Sequence, residues 1–226
     1  MSKPNTPIVE LRTSEDGSST LYRPDLDEHY HSIHGAIQES MHVFIRAGLE
    51  KHPGGLLKIL EVGFGTGLNA LLTVIHQGNK KIFYHAIERF PLDESTVSQI
   101  NYPEVLKEPA SRDLFLKLHQ IPWNGDYEIT SRFILHKEAS DLAEFKPITS
   151  YDLVYFDAFG PDKQPELWTP EVFKKISEVI NPGGLLVTYS CKGTVKRALK
   201  DAGMQIEKIP GPPGKREILR ATKPSS

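Results

Sequence analysis

Three carboxylates and a run of glycines hold the residues of this chain best suited to chemistry. Glu61 ends an apolar run, LLKILE, and Gly63, Gly65 and Gly67 follow at alternate positions before Asn69. Twenty-one residues after Gly67 a second apolar run, KIFYHAIE, ends in Glu88. A third, YDLVYFDAF, carries Asp157 near its end. Glycines in such a turn let backbone approach a ligand, because residues without Cβ adopt positive φ and put no side chain in the way. A carboxylate at the end of the next strand suits ribose hydroxyls. The pattern predicts a nucleotide-type cofactor, although an ordinary strand-to-helix turn would use similar glycines.

The identity of that cofactor turns on charge. A dinucleotide fingerprint places a third glycine where this chain has Leu68. A pyrophosphate also seeks a helix N-terminus free of competing negative charge. S-adenosylmethionine carries an ammonium and a sulfonium, so an acid such as Glu61 beside the loop favours it. The cofactor-binding set read from the sequence is Glu61, Gly63, Gly65, Gly67, Asn69 and Glu88, joined by Glu138, Ala139 and Asp157 at later strand ends.

These residues need a scaffold. Residues 8–23 predict two strands around an Asp16-Gly17 turn. Ile33, Ile37, Met41, Phe44 and Ile45 predict an amphipathic helix ending near Gly48. From residue 56 strands and helices alternate, with strands at 56–62, 81–88 and 151–159 and helices after Gly67 and over 109–119, 170–180 and 194–202. Two closing strands, MQIEKIP and REILRA, flank GPPGK. The expected fold is α/β, a doubly wound and mostly parallel sheet with an antiparallel edge strand and an N-terminal hairpin-helix extension. The expected division is an extension over residues 1–50 and a main domain over 51–226.

In such sheets ligands sit beyond the carboxyl ends of the strands. Asp157 ends the strand expected beside the glycine loop, where an acceptor would approach; the plainer reading is a turn acid. Glu138 and Ala139 end a strand before an expected helix and suit adenine, or are simply solvated. The loop AFGPDKQPELW offers Lys163, Gln164 and Trp168 to a base, with Trp168 alternatively a core anchor.

Bulk properties exclude several classes. The 226 residues carry 27 Lys and Arg against 29 Asp and Glu, so no global positive field advertises nucleic acid. No apolar run approaches the roughly 20 residues that cross a bilayer, and MSKPNTPIVE lacks a signal-peptide core. The single cysteine, Cys191, excludes an internal disulfide and makes a cytoplasmic location the expectation. The nine histidines, among them His29, His31, His34 and His42, form no clean ligand set, so no metal is expected.

Longer stretches are more specific. DAFGPDKQPELWTPEVFKKI, NPGGLLVTYSCKGTVKRAL and GPPGKREIL resemble the methyltransferase domain of the bifunctional tRNA wobble-uridine modification enzymes, and EVGFGTGLN resembles that family's cofactor loop. The upstream YHSIHGAIQESMHVF matches at Tyr30, Ser32, Glu39, Val43 and Phe44, while the family's glycine falls opposite Ala36. The resemblance spans about residues 20 to 221 and implies a Rossmann-like fold. The implied reaction is methyl transfer from S-adenosylmethionine to the amine of 5-aminomethyl-2-thiouridine in tRNA. The family's FAD-dependent oxidase domain has no counterpart, so FAD binding is not expected and the aminomethyl group would come from a separate oxidase or other enzyme.

Asp157 is then the expected catalytic residue, aiming the amine and receiving its proton. Tyr30, Phe159, Lys163, Trp168, Lys215 and Arg216 are the expected substrate contacts. Lys192 and the helix residues Lys196, Arg197 and Lys200 are further tRNA candidates, or a solvated face. Three other readings stay open: a small-molecule amine N-methyltransferase, an aminopropyl transferase, and a non-catalytic S-adenosylmethionine-binding module. The aminopropyl reading is disfavoured by GFGTG and by AFG after Asp157.

Overall fold

The computed structural model describes residues 7–225. Met1–Thr6, on which part of the signal-peptide reading rests, and Ser226 lie outside the described residues. The chain opens with β1 (Glu10–Thr13) and β2 (Ser19–Arg23), paired around Asp16-Gly17 as expected, and a short β3 (Glu28–His29) adds a third strand. Asp16 fixes the turn by accepting from the Ser18 amide at 3.0 Å. Helix α1 (Ala36–Ser40) passes into a π-helical turn over Met41–Arg46, where the Ala47 amide donates to the His42 carbonyl. Gly48 ends it, as expected, because a Cβ there would lie 2.6 Å from the Phe44 carbonyl oxygen. Ile33 falls outside the helix and is exposed.

The main layer follows as β4 (Leu56–Val62), α2 (Leu68–His76), β5 (Lys81–Glu88), α3 (Glu94–Val97), α4 (Tyr102–Leu106), α5 (Ser111–Gln120), β6 (Gly125–Thr130), β7 (Phe133–Ala139) and β8 (Tyr151–Phe156). It closes with α6 (Pro170–Val179), β9 (Ile180–Thr188), α7 (Gly193–Asp201), β10 (Gln205–Pro210) and β11 (Glu217–Thr222). The eight strands run β10-β11-β9-β8-β4-β5-β7-β6. Five adjacent strands, β9, β8, β4, β5 and β7, are parallel. Two antiparallel strands follow from tight connections. Edge strand β6 pairs with β7, and β11 sits one place in from the other edge, between β10 and β9. This is the Rossmann-like methyltransferase layout that the alternation predicts.

Both faces of the sheet are covered, which explains the near-continuous apolar strands. Ile59, Tyr84 and Tyr155 face the N-terminal extension, α2 and α5, while Leu60, Val154 and Leu186 face α6 and α7. Helix α6 starts where the Thr169 hydroxyl accepts from the Val172 amide and Pro170 fills the first turn, a cap worth about 1 kcal/mol. Strand order reverses at β4 and β8, so the crevice opens beyond Val62 and Phe156.

Candidate functional site

A cleft of about 750 Å³ lies at that crevice. Its floor is the glycine loop and the end of β8, and its walls come from the N-terminal extension, the loop after β7 and residues 214–217. The loop needs its glycines. Gly63 has φ +91°, and a Cβ there would meet the Asp157 carbonyl oxygen at 2.7 Å. Gly65 has φ +50°, and a Cβ would press on the Tyr30 ring at 3.1 Å. Gly67 lies outside the wall and starts α2, packed against His119 and Phe64. Thr66 between them accepts from the Tyr102 hydroxyl at 2.9 Å and bonds His31 Nε2 at 2.8 Å, while its carbonyl accepts from His119 at 3.1 Å. Burial holds His31 and His119 neutral, each near pKa 4, so the loop is clamped without added positive charge.

Three acids gather around this loop. Asp157 is at the floor, and burial raises its pKa to about 7 against the lowering effect of Asn69, whose amide donates to Oδ2 at 2.8 Å. Glu88 accepts from the amides of Gly65 at 2.9 Å and Phe90 at 2.8 Å, yet burial still pushes it up. Glu61 is wholly buried behind the loop, and neither carboxylate oxygen has a hydrogen-bond partner among the described residues. Burial raises its pKa strongly, and the charges of Asp157 and Glu88 add to that. Asn69 and the Tyr84 hydroxyl lie beside it and pull its pKa down against that burial, although their geometry falls short of full hydrogen bonds. Unpaired buried carboxylates are costly, and a ligand bearing ammonium and sulfonium charge relieves that cost. The residues present therefore fit S-adenosylmethionine.

The structure brings Tyr30, Phe159, Lys163, Lys215 and Arg216 to the same cleft. Tyr30 and Phe159 meet edge to face at 4.9 Å, with the Arg23 guanidinium 5.6 Å from the Phe159 ring centroid. Lys163 sits at the lip, 3.5 Å from Asp27. Lys215 pairs with the buried Glu39 and lies 4.5 Å over the Tyr189 ring, at the cleft wall. Lys192, also at the lip, pairs with Asp162. Lys196, Arg197 and Lys200 of α7 are outside the wall.

Two expectations are corrected. Glu138 and Ala139 do not line the cleft; Glu138 turns back to His85 at 3.1 Å and to Ser140 at 2.8 Å, and turns rather than a helix follow. Ser140 and Asp141, the next residues, take that place in the wall. Trp168 is not a free stacking plane. It is buried against Phe156 and Phe173, and its indole N–H donates to the Phe159 carbonyl at 2.7 Å, so it shapes the loop from behind. Sequence reasoning missed Arg23, Glu39 and Tyr189. Glu39 carried a signal, as an acid on the apolar helical stretch.

Comparison with known proteins agrees with this geometry. A family described as S-adenosyl-L-methionine-dependent methyltransferase matches residues 116–224. The tRNA 5-methylaminomethyl-2-thiouridine biosynthesis bifunctional protein MnmC of Magnetococcus marinus is 32% identical over 219 residues, covering 89% of this chain and 32% of that protein. The protein of the same name from Ralstonia nicotianae is 31% identical over 224 residues, covering 91% of this chain and 33% of its own. This chain thus spans about a third of the length of the curated relatives it matches. The crystal structure of MNMC2 from Aquifex aeolicus superposes with a TM-score of 0.75 at 28% identity, over 98% of this chain and 74% of that one. Spermidine synthase from Thermotoga maritima, at 14% identity and a TM-score of 0.52 over 97% of this chain and 73% of that one, shares the fold alone. No helix among the described residues is long and apolar enough to cross a membrane.

Proposed function

We infer that this chain, an S-adenosylmethionine-dependent methyltransferase homologous to the methyltransferase portion of the MnmC proteins, methylates the amine of 5-aminomethyl-2-thiouridine at the wobble position of tRNA. The observation that carries this reading is a half-buried carboxylate, Asp157, which lines the cleft floor beside the glycine loop and accepts from Asn69 at 2.8 Å. Desolvation raises its pKa to about 7. S-adenosylmethionine supplies an electrophilic methyl on a positively charged sulfur. The chain's own residues hold that group and prepare the amine.

Glu88 and the backbone at Gly63 and Gly65 form the cofactor side, with Glu61 and Asn69 behind the loop and Gly67 opening the helix that carries it. An alkylammonium has a pKa of about 10.4 and no lone pair. An ordinary aspartate lies about 6.5 units below it, whereas Asp157 near 7 lies about 3 units below. Asp157 would accept the ammonium proton on an oxygen, leaving the nitrogen lone pair free for the methyl that S-adenosylmethionine would supply, its sulfur keeping the C–S electron pair. Tyr30 and Phe159 flank the base, and Lys163 and Arg216 at the rim meet phosphate or carbonyl oxygens. Residues 1–50 are assigned as an extension, whose segment 23–39 supplies the wall over the glycine loop, with 51–226 as the methyltransferase domain.

The test is nucleoside mass analysis of tRNA bearing 5-aminomethyl-2-thiouridine after incubation with this protein and S-adenosylmethionine. A gain of one methyl on that nucleoside, lost in Asp157→Ala, is expected. Transfer to free amines with no change in tRNA would overturn the tRNA assignment.

A further inference from the structure

His85 of β5 and His136 of β7 are directly opposite in register, and Glu138 is two residues on, on the same face. The imidazole centroids are 4.5 Å apart, and one donor atom from each of the three residues lies within 4.8 Å of the others. Each histidine is held from its other side. His85 Nδ1 bonds the Tyr151 hydroxyl at 2.6 Å, and His136 Nδ1 bonds Asp126, its partner across β6. His85 is wholly buried, with Phe145 closing over it at 5.6 Å. An apolar pair would fill this face without burying two imidazoles.

We propose that His85, His136 and Glu138 form a binding site for a divalent transition-metal ion, Zn²⁺ being the best match, on the sheet beneath the Leu142–Phe145 segment. Two imidazole nitrogens and one carboxylate oxygen are a three-ligand set that leaves a fourth position for water. The outer partners Tyr151 and Asp126 are the kind that fix ring orientation at metal sites. The carboxyl groups of Glu138 and Asp126 both face this imidazole pair, as a dication would require. Binding requires His85 Nε2 and Glu138 to exchange their mutual 3.1 Å hydrogen bond for bonds to the ion. The other Glu138 oxygen accepts from Ser140, which lines the cleft. The ion would therefore clip β5 to β7 at the ends that present Glu88 and Ser140. This departs from the expectation of no metal, which covers all nine histidines; among them, His31, His34 and His42 are committed to Thr66, Glu15 and the Pro210 carbonyl.

The experiment uses the untagged full chain stripped with a chelator. Zinc chloride is titrated by calorimetry, and cobalt(II) by its visible absorption. One ion per chain is expected, with the intense bands of a four-coordinate site. Binding should weaken at least tenfold in His136→Gln and roughly 10–100-fold in Asp126→Ala. Asp126 is mostly exposed, so its variant keeps the test available if the histidine variant misfolds. No uptake by the wild-type chain overturns the proposal. So does uptake unchanged in both variants, which would assign the ion to other histidines and leave the site a hydrogen-bonded strut. Neither readout depends on methyl transfer.

Discussion

The amide of Asn69 donates to Asp157 across 2.8 Å and joins the first turn of α2 to the end of β8. One hydrogen bond therefore couples the glycine loop's helix to the residue proposed to face the acceptor, and it opposes the burial that raises Asp157. In the proposed mechanism the base is tuned by the helix that follows the cofactor loop. In Asn69→Ala the lowering contribution is gone, so the Asp157 pKa should rise further. The ascending limb of kcat/KM against pH, expected near 7 in the wild type, should move to higher pH. A limb that stays in place would separate Asp157 from the rate.

Asp157 should also destabilise the chain without ligand at neutral pH. Its folded pKa, about 7, is above the 3.8 of a free side chain. A raised pKa means the stabilising contribution is complete below about pH 4 and is lost as pH climbs through 7. Each unit is worth about 1.4 kcal/mol. Asp157→Asn should therefore melt higher than wild type at pH 8, by up to a few kcal/mol, and equally near pH 4, while its turnover collapses. Thermal melts across this range are the measurement, and a pH-independent difference would contradict the assignment.

Cofactor binding should release protons. Asp157 is roughly half protonated at pH 7, and Glu61 and Glu88 are shifted in the same direction. A sulfonium and an ammonium brought among these carboxylates lower all three pKa values, so protons leave. Calorimetry in buffers of different ionisation enthalpy reads the number. S-adenosylhomocysteine, whose sulfur is uncharged, should release fewer. Equal release from the two ligands would mean that the sulfonium does not sense the acids.

Sequence patterns gave away the parts that depend on short-range geometry. Strand ends at Glu61, Glu88 and Asp157 and the three glycines of the loop could be read because a strand, a turn and a helix follow one another within about 15 residues. The wall opposite was harder. Tyr30 is legible through the family resemblance and not through local pattern. Arg23 reaches the cleft only because the β2–β3 hairpin folds over Gly65, and Glu39 meets Lys215 across 176 positions of chain. Nothing local announces such pairs. Trp168 and Glu138 failed differently: residue type suited a site, but packing on Phe156 and hydrogen bonding to His85 had claimed the side chains.

Trp168 is an architectural residue, and its variants should behave so. Trp168→Phe keeps an aromatic ring but leaves the Phe159 carbonyl without its donor, at a cost of about 1–2 kcal/mol. Trp168→Ala should cost about 3–5 kcal/mol. Denaturant unfolding reads both. Cofactor affinity of the folded Phe variant should stay near wild type, because Trp168 does not line the cleft. Unchanged stability together with weakened tRNA binding would restore a stacking role.

Lys215 and Arg216 are neighbours in sequence but differ in setting. Lys215 is paired with Glu39 and packed on Tyr189 inside the cleft, whereas Arg216 has no acidic partner within salt-bridge distance among the described residues. A cation already neutralised by a carboxylate releases few counterions from RNA. Arg216→Ala should therefore lower the slope of log affinity against log salt by about 1, and Lys215→Ala should leave that slope nearly unchanged. Lys215→Ala should instead reduce kcat, because Glu39 is left uncompensated beside Asp157 and the Asp157 pKa climbs. The check is tRNA binding across a salt series alongside single-turnover rates. A slope change in Lys215→Ala equal to that in Arg216→Ala would place Lys215 on the phosphate backbone and free Glu39 from any part in setting the charge of Asp157.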